Sequence, residues 1–277
     1  FMDICVRCGA CADKCHFYLG SADPKNMPVL RAELIRSVYK RYFTKAGRLG
    51  RLAGARDLTI DVLKEWFYYF YQCTECRRCS VFCPYGIDTA EITMMGRELL
   101  NLVGINIGWI VEPASNCYST GNHLGVRPNT FKDNIEFAAD DLEEVTGIKV
   151  DTPIDKRGAE VMVVVPSADY FADPGTYTFA GYLMLFEHIG LDYTLSSYAS
   201  DGGNFGMFNS AENLKRLNWK IYHEAKRLGV KWIIGGECGH MWRVMHQYMN
   251  TMNGPAYFLE QPKSPITGTV FDNAAST

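Results

Sequence analysis

The sequence has 277 residues, 47% of them hydrophobic, and its 28 Lys and Arg nearly balance 31 Asp and Glu. This length can hold two domains with separate cores. No apolar run approaches the ~18 residues that a membrane span needs, which argues against an integral membrane protein.

Eight of the ten cysteines fall in two runs of identical C-x2-C-x2-C-x3-C spacing. This spacing is typical of ferredoxins, in which thiolates hold [4Fe–4S] clusters. Three cysteines spaced by two residues can wrap one cluster, while the fourth is carried away and reaches a second one. We therefore predict one cluster on Cys5, Cys8, Cys11 and Cys83, and the other on Cys73, Cys76, Cys79 and Cys15.

Zinc or disulfides are the alternatives for these cysteines. Zinc prefers paired knuckles that form closed sets of four, and two identical four-cysteine runs favour iron–sulfur clusters instead. Pro84 follows the second run, whereas His16 occupies that position after the first. Thiolates reserved for clusters imply a reducing compartment, and no signal peptide is visible, so we expect a cytoplasmic chain.

The stretch between and after the cysteine runs predicts three helices, over Leu30–Lys45, Leu58–Tyr71 and Thr89–Leu102. Asp57 is the expected cap of the second helix. The aromatic run Trp66–Tyr71 is apolar on all sides and is therefore expected to be buried. Burial there would exclude water from the neighbouring cluster and tune its potential.

Positive charge is concentrated between Arg31 and Arg56, where eight basic residues accompany one acid, Glu33. Two interpretations stay open for this net charge of +7: an anionic partner, either lipid headgroups or an acidic protein face, or a solvated helix face. Nucleic acid is disfavoured because the block lacks a reading motif.

Residues 104–135 are rich in glycine and asparagine and predict a long irregular connector. Cys117 lies within it and is either a redox-active thiol, an extra ligand or, as we favour, a buried inert cysteine. Ile135–Thr146 predicts an acidic helix with a solvated face.

The second half alternates strand-like and helical segments, which predicts a parallel α/β sheet with ligands at the carboxyl ends of its strands. Val161–Val165 is a short apolar run suited to a strand buried on both faces. The segments that follow are Thr176–Ile189 (helix), Leu191–Leu195 (strand), Ser210–Leu228 (helix) and Val230–Ile234 (strand). Cys238 comes just after the last strand, among glycines and before a further helix that reaches Met249, where a thiolate would be stabilised.

The motif Gly236-Glu237-Cys238-Gly239-His240 resembles the Cys-Cys-Gly motif of the heterodisulfide reductase cysteine-rich domain, with Glu237 in place of the first cysteine. Together with a preceding helical two-cluster domain, it makes nearly the whole chain similar to fused HdrD-type subunits. The resemblance implies a third, noncubane [4Fe–4S] cluster completed by a second cysteine-rich half, so we expect an incomplete domain here. Ser167 stands where relatives often have a cysteine.

The resemblance also implies roles for the motif. Cys238 would be a ligand of the noncubane cluster and Glu237 an oxygen ligand or a neighbouring group. His240 would be a proton donor or, as we favour, a capping or packing residue. The implied fold class is a multidomain α+β protein: a helical ferredoxin domain over 1–103, a connector over 104–158 and an α/β cysteine-rich domain over 159–277.

The implied function is electron transfer from a quinol-oxidising cytochrome b partner, through two cubanes, to a site that reduces a protein disulfide or trisulfide. The implied substrate is a small DsrC-like sulfur-carrier protein. The subunit would lie on the cytoplasmic side, attached to the membrane through partner subunits. Two alternatives are an electron-wire subunit without disulfide chemistry of its own and a non-enzymatic zinc scaffold.

Overall fold

The computed structural model describes residues 4–202, 204–236, 238–254 and 256–259. The chain divides into two compact units, one of residues 1–107 with 208–210 and the other of residues 108–207 and 211–277. Helices accompany a small parallel sheet, which confirms the predicted α+β class.

The first unit is helical, and its core lies where three helices meet. Its helices are α1 (His16–Ser21), α2 (Pro28–Phe43), α3 (Ile60–Tyr71), α4 (Arg78–Val81) and α5 (Thr89–Leu102), with 3-10 segments at Pro24–Asn26 and Lys45–Ala53. Ile35 of α2, Phe70 of α3 and Leu100 of α5 are buried together. This packing fixes the helix ends between which the two cysteine runs lie.

Two details of α3 differ from the predictions. Thr59, not Asp57, caps the helix, because its side chain accepts a hydrogen bond from the Val62 N–H, whereas the Asp57 carboxylate pairs with Arg41 at 2.5 Å. The prediction that the whole aromatic run is buried is also wrong. Trp66 and Phe70 are buried, but Tyr68 is 60% exposed, because only one face of α3 packs against the core.

The second unit contains α6 (Gly108–Thr120), α7 (Pro128–Thr146), β1 (Val161–Val164), α8 (Ser167–Phe171), α9 (Gly175–Ile189), β2 (Tyr193–Thr194), α10 (Phe205–Asn209), α11 (Ala211–Leu228), β3 (Trp232–Gly235), α12 (Gly239–Arg243), a π-helical turn (Val244–Tyr248) and α13 (Met249–Asn253). The prediction of an irregular connector is wrong, because α6 and the start of α7 occupy it. Pro128 takes the first position of α7, where a missing N–H costs nothing. Within the described residues, no helix combines the length and apolar character needed to cross a bilayer.

The sheet has the strand order β2-β1-β3, and both pairings are parallel. The central strand β1 is buried on both faces, as predicted: Val161 and Val163 pack with α9, whereas Met162 and Val164 pack with α11. The carboxyl ends of the strands therefore meet at one edge, which faces neither helix layer.

Candidate metal centres

The two cysteine runs have the same backbone conformation. In the first, Arg7 and Gly9 have φ of 60° and 80°, and at the equivalent positions of the second, Glu75 and Arg77 have φ of 57° and 59°. Left-handed backbone is uncommon for residues other than glycine and persists where the surroundings or a function require it. The repeated conformation turns each run into a loop around a common interior.

Four thiols line a single cavity in the first unit. Cys5, Cys8 and Cys11 come from the first run and Cys83 from the end of the second, and the remaining wall is largely apolar, with Val29, Ala32, Ile87 and Ile92. We call this group the first cluster site. Four convergent cysteine thiols in an apolar cradle fit a [4Fe–4S] cluster, whose potential depends on exclusion of water.

A buried arginine adds positive charge to the first cluster site. The Arg36 side chain is 4% exposed and pairs with Glu33, which also receives two hydrogen bonds from Arg7. Nε and Nη2 of Arg36 are buried and have no hydrogen-bond partner among the described residues. Burial raises the pKa of Cys5, but the adjacent Arg36 guanidinium and the Arg7 backbone outweigh it, so the net pKa is lowered. Unpaired buried donors beside a thiol suit a negatively charged thiolate–cluster unit.

The second cluster site is formed by Cys73, Cys76, Cys79 and the segment that contains Cys15. His16 follows Cys15 directly, and its ring lies 3.9 Å from the Cys76 sulfur and 3.3 Å from the Thr74 hydroxyl. Cys15 is thereby held against the second loop, as the predicted ligand exchange requires.

Backbone carbonyls and buried charges surround Cys73. Arg97 donates to the Phe70 carbonyl at 2.7 Å and also to the Cys73 carbonyl. Arg31 donates to the Tyr69 carbonyl at 2.9 Å. Burial, and then the negative charge of Glu75, raise the pKa of Cys73 to about 12. Such a thiol stays protonated at neutral pH until a metal displaces its proton.

The two cluster sites are neighbours. Burial raises the pKa of Cys11 to about 11, and the charge of Cys79 in the other site raises it further. The mutual influence of these thiolates places the sites within electrostatic range of each other, which suits electron transfer between them.

Cys238 lies at the carboxyl edge of the sheet, as the N-cap of α12. The Asn204 amide nitrogen is 3.9 Å from its sulfur. Gly236 allows a close approach there, because a Cβ atom would lie 3.0 Å from Val165 and 3.2 Å from Pro166. His240 is half-buried in the first turn of α12. Glu237 falls outside the described residues, so its suggested role at the site stays a prediction.

The structure brings three further polar residues to this edge that the sequence did not single out as a group. The Asp201 carboxylate accepts hydrogen bonds from the Ser167 backbone at 3.1 Å, from the Ser167 hydroxyl, and from His123 Nδ1 at 2.7 Å. Ser167 and Asp201 are buried, and the His123 ring is 20% exposed and packs 5.0 Å from Phe205. Phe205 adjoins Asn204, so the same segment contacts both His123 and Cys238. A search for polar residues just after each predicted strand would have found Ser167 and Asp201.

Cys117 is buried in α6, and burial and then the Asp201 charge raise its pKa well above the usual value. Lys220 donates to the Cys117 and Tyr118 carbonyls at 3.0 and 2.8 Å. A thiol held neutral in an apolar contact matches the favoured interpretation of an inert cysteine.

Comparison with known proteins agrees with this arrangement of cysteines. Residues 1–87 match the family model described as a 4Fe-4S dicluster domain. The first unit is thus of the two-cluster iron–sulfur class.

The relatives are more particular. The whole chain is 59% identical to 53% of the "Hdr-like menaquinol oxidoreductase iron-sulfur subunit 2" of Archaeoglobus fulgidus. Over 95% of the chain it is 56% identical to 48% of an "Hdr-like menaquinol oxidoreductase iron-sulfur subunit" of Archaeoglobus profundus. A stretch of 108 residues, 39% of the chain, is 32% identical to 25% of a polypeptide of the dihydromethanophenazine:CoB--CoM heterodisulfide reductase of Methanosarcina barkeri. These similarities support the predicted HdrD-like family. The chain spans about half the length of the first two relatives, and no solved structure matches it.

Proposed function

We propose that this chain is the electron-transferring part of an iron–sulfur oxidoreductase subunit that takes electrons from a quinol-oxidising cytochrome b partner. The observation that carries the proposal is the exchange of the fourth cysteine between two neighbouring loops of equal conformation. When bound, the two clusters would supply one-electron transfer. The relatives named as menaquinol oxidoreductase subunits make a menaquinol the preferred electron source.

The sheet edge is the proposed end of the electron path. There Cys238 would be a thiolate ligand of a noncubane cluster whose other ligands lie outside this chain, with Glu237 an oxygen ligand or a neighbouring group. Reduction of a disulfide breaks one S–S bond and consumes two electrons and two protons, one of each for each sulfur. Asp201 holds His123 through Nδ1, which leaves Nε2 to deliver a proton near Cys238. His240 is the other candidate for this role.

The finer resemblance is to DsrK, the HdrD-like iron–sulfur subunit of the DsrMKJOP complex of dissimilatory sulfur metabolism. On that basis we propose a DsrC-like carrier as the disulfide or trisulfide substrate and attachment to the cytoplasmic face of the membrane through partner subunits. The second candidate is an electron-wire subunit in which the sheet is only a docking platform. The absence of a second cysteine beside Cys238 in the Gly236–His240 motif favours this alternative.

The two candidates differ in what Cys238 does. In the longer protein, assembled with its membrane partner, Cys238→Ala should abolish quinol-dependent disulfide reduction while both cubanes stay reducible. Cys117→Ala is the matched control, since that thiol is buried away from the sheet edge, and it should retain turnover. Full turnover of Cys238→Ala would rule out the reductase proposal in favour of the wire. Glu237→Gln should be mild if the carboxylate is a neighbouring group, and as severe as Cys238→Ala if it binds iron.

A further inference from the structure

The end of α2 and the segment after it expose large apolar side chains. Phe43 is 73% exposed, Leu49 is 65% exposed and Leu52 is 92% exposed. The Phe43 ring stacks on that of Tyr39, which is itself 41% exposed, with the ring centroids 5.1 Å apart. Isolated exposed apolar residues need no explanation, but a group on one short segment indicates an interaction surface.

This segment, residues 39–56, is folded tightly and is not a loose loop. A Cβ atom on Gly47 would lie 1.9 Å from the Lys40 carbonyl oxygen, so the backbone packs directly on the end of α2. Arg41 donates to the Gly47 carbonyl at 3.1 Å, and the Arg56 N–H donates to the Ser37 carbonyl at 3.0 Å. The apolar side chains are therefore held outward by an ordered backbone.

Positive charge surrounds the same apolar side chains. An open depression of about 500 Å³, large enough for a phosphate group, is lined by Arg41, Arg48, Leu49, Arg51 and Arg56, together with Asp57 and Asp61. Arg41 pairs with Asp57 and Arg56 with Glu65. In the described part of the chain, Arg48 and Arg51 are exposed and form no salt bridge.

The structure also divides the basic block that the sequence suggests. Arg31 and Arg36 are 2% and 3% exposed and belong to the surroundings of the cluster sites. The outward charge is carried by Lys45, Arg48 and Arg51, next to Leu49 and Leu52.

We propose that the 39–56 segment binds directly to an anionic lipid surface. Arg48 and Arg51 would hold lipid phosphates, since guanidinium groups bind phosphate through paired hydrogen bonds. Phe43, Leu49 and Leu52 would enter the boundary between headgroups and acyl chains, as apolar residues of interfacial segments do. An acidic protein face would match the charge but not Leu52, which has no concave neighbour here to enter. The inference does not depend on the proposed function, because the contact holds whatever the sheet edge does.

The test is sedimentation of the purified, cluster-reconstituted chain with vesicles of phosphatidylglycerol and phosphatidylcholine. Binding should require phosphatidylglycerol and weaken as salt rises. Arg48→Gln with Arg51→Gln should weaken it roughly 30-fold, since each basic residue near an anionic surface contributes about fivefold. Leu49→Ser with Leu52→Ser should weaken binding by about tenfold or more, because both side chains lose their apolar transfer.

Matched controls come from the second unit. Lys149→Gln with Arg157→Gln removes two exposed charges, and Phe137→Ser with Val145→Ser removes two exposed apolar groups from the acidic face of α7. Both pairs should leave binding unchanged, and visible absorbance should show intact clusters in every variant. The proposal fails if the unaltered chain ignores phosphatidylglycerol vesicles, if it binds only vesicles that contain a membrane protein, or if the two test pairs behave like the controls.

Discussion

At the scale of single residues, a buried arginine stands beside each cluster site. Arg36 lies against Cys5 in the first site, and the charge of Arg31 acts on Cys73 in the second. A positive charge favours the more negative, reduced form of a nearby cluster. At an effective dielectric constant near 20, a charge several ångströms away changes the potential by roughly 100 mV.

We therefore expect Arg36→Met to lower the potential of the first cluster by about that amount, and Arg31→Met to lower that of the second. Redox titration followed by electron paramagnetic resonance measures both potentials in each variant, and iron analysis shows whether the clusters are retained. If both variants shift the same cluster, or neither variant shifts one, the assignment of these arginines is wrong.

The pair formed by His123 and Asp201 makes a second prediction at this scale. If His123 delivers protons at the sheet edge, His123→Gln should lower disulfide-reductase turnover of the longer protein by roughly 100-fold, the usual loss for a general acid. Asp201→Asn should lower it as well, because the ring loses its 2.7 Å hydrogen bond. Electron transfer into the cubanes, measured in the same samples, should not change.

His240→Gln serves as the matched comparison, since His240 is the histidine that the sequence motif suggests. If His240→Gln lowers turnover and His123→Gln does not, the proton donor lies in the motif. The sequence could suggest His240 because it adjoins Cys238. It could not suggest the His123–Asp201 pair, whose members are 78 positions apart and meet only when the strands assemble.

At the scale of elements, the closest contact between α3 and α5 passes through Gly96. A Cβ atom there would lie 2.4 Å from the ring of Phe70, which is fully buried and cannot move aside. Gly96→Ala should destabilise the first unit by about 1–3 kcal/mol through overpacking, although alanine is the better helix former.

Gly181 in α9 is the matched control, because a Cβ atom there meets nothing within 4 Å. Gly181→Ala should raise stability by about 0.5–1 kcal/mol. Thermal melts followed by circular dichroism compare the two variants, and equal shifts would contradict the contact as described.

The same scale shows which elements the sequence could predict. The strand β1 was predictable because its unbroken apolar run has no other use than burial on both faces. The helix α6 was not predictable from the same rules, because Pro113 lies inside it and glycines flank it. Only packing of Ala114 and Cys117 on Leu217 of α11 makes that helix favourable.

At the scale of the whole molecule, the two units divide the chemistry. The first carries eight cysteines in two repeated loops, and the second carries one half-buried cysteine at a sheet edge. The spacing of the eight cysteines could indicate their grouping because each loop is local and only the fourth ligand comes from a distance. The ligands that would complete a site around Cys238 are not local, and the chain spans about half of its first two relatives.

The exchange of fourth ligands leads to a prediction for the whole chain. Two sites of four thiols should hold about eight iron atoms and as many acid-labile sulfides. Cys15→Ser should impair the cluster on Cys73, Cys76 and Cys79, whereas Cys83→Ser should impair the one on Cys5, Cys8 and Cys11. The reason is geometric: Cys83 lines the cavity of the first run, and His16 fixes its neighbour Cys15 against the second. Iron and sulfide analysis with resonance spectra of both variants tests this, and Arg36→Met identifies which signal belongs to the first site. Tightly bound zinc without sulfide would contradict the clusters, and loss of the signal of the variant's own loop would contradict the exchange.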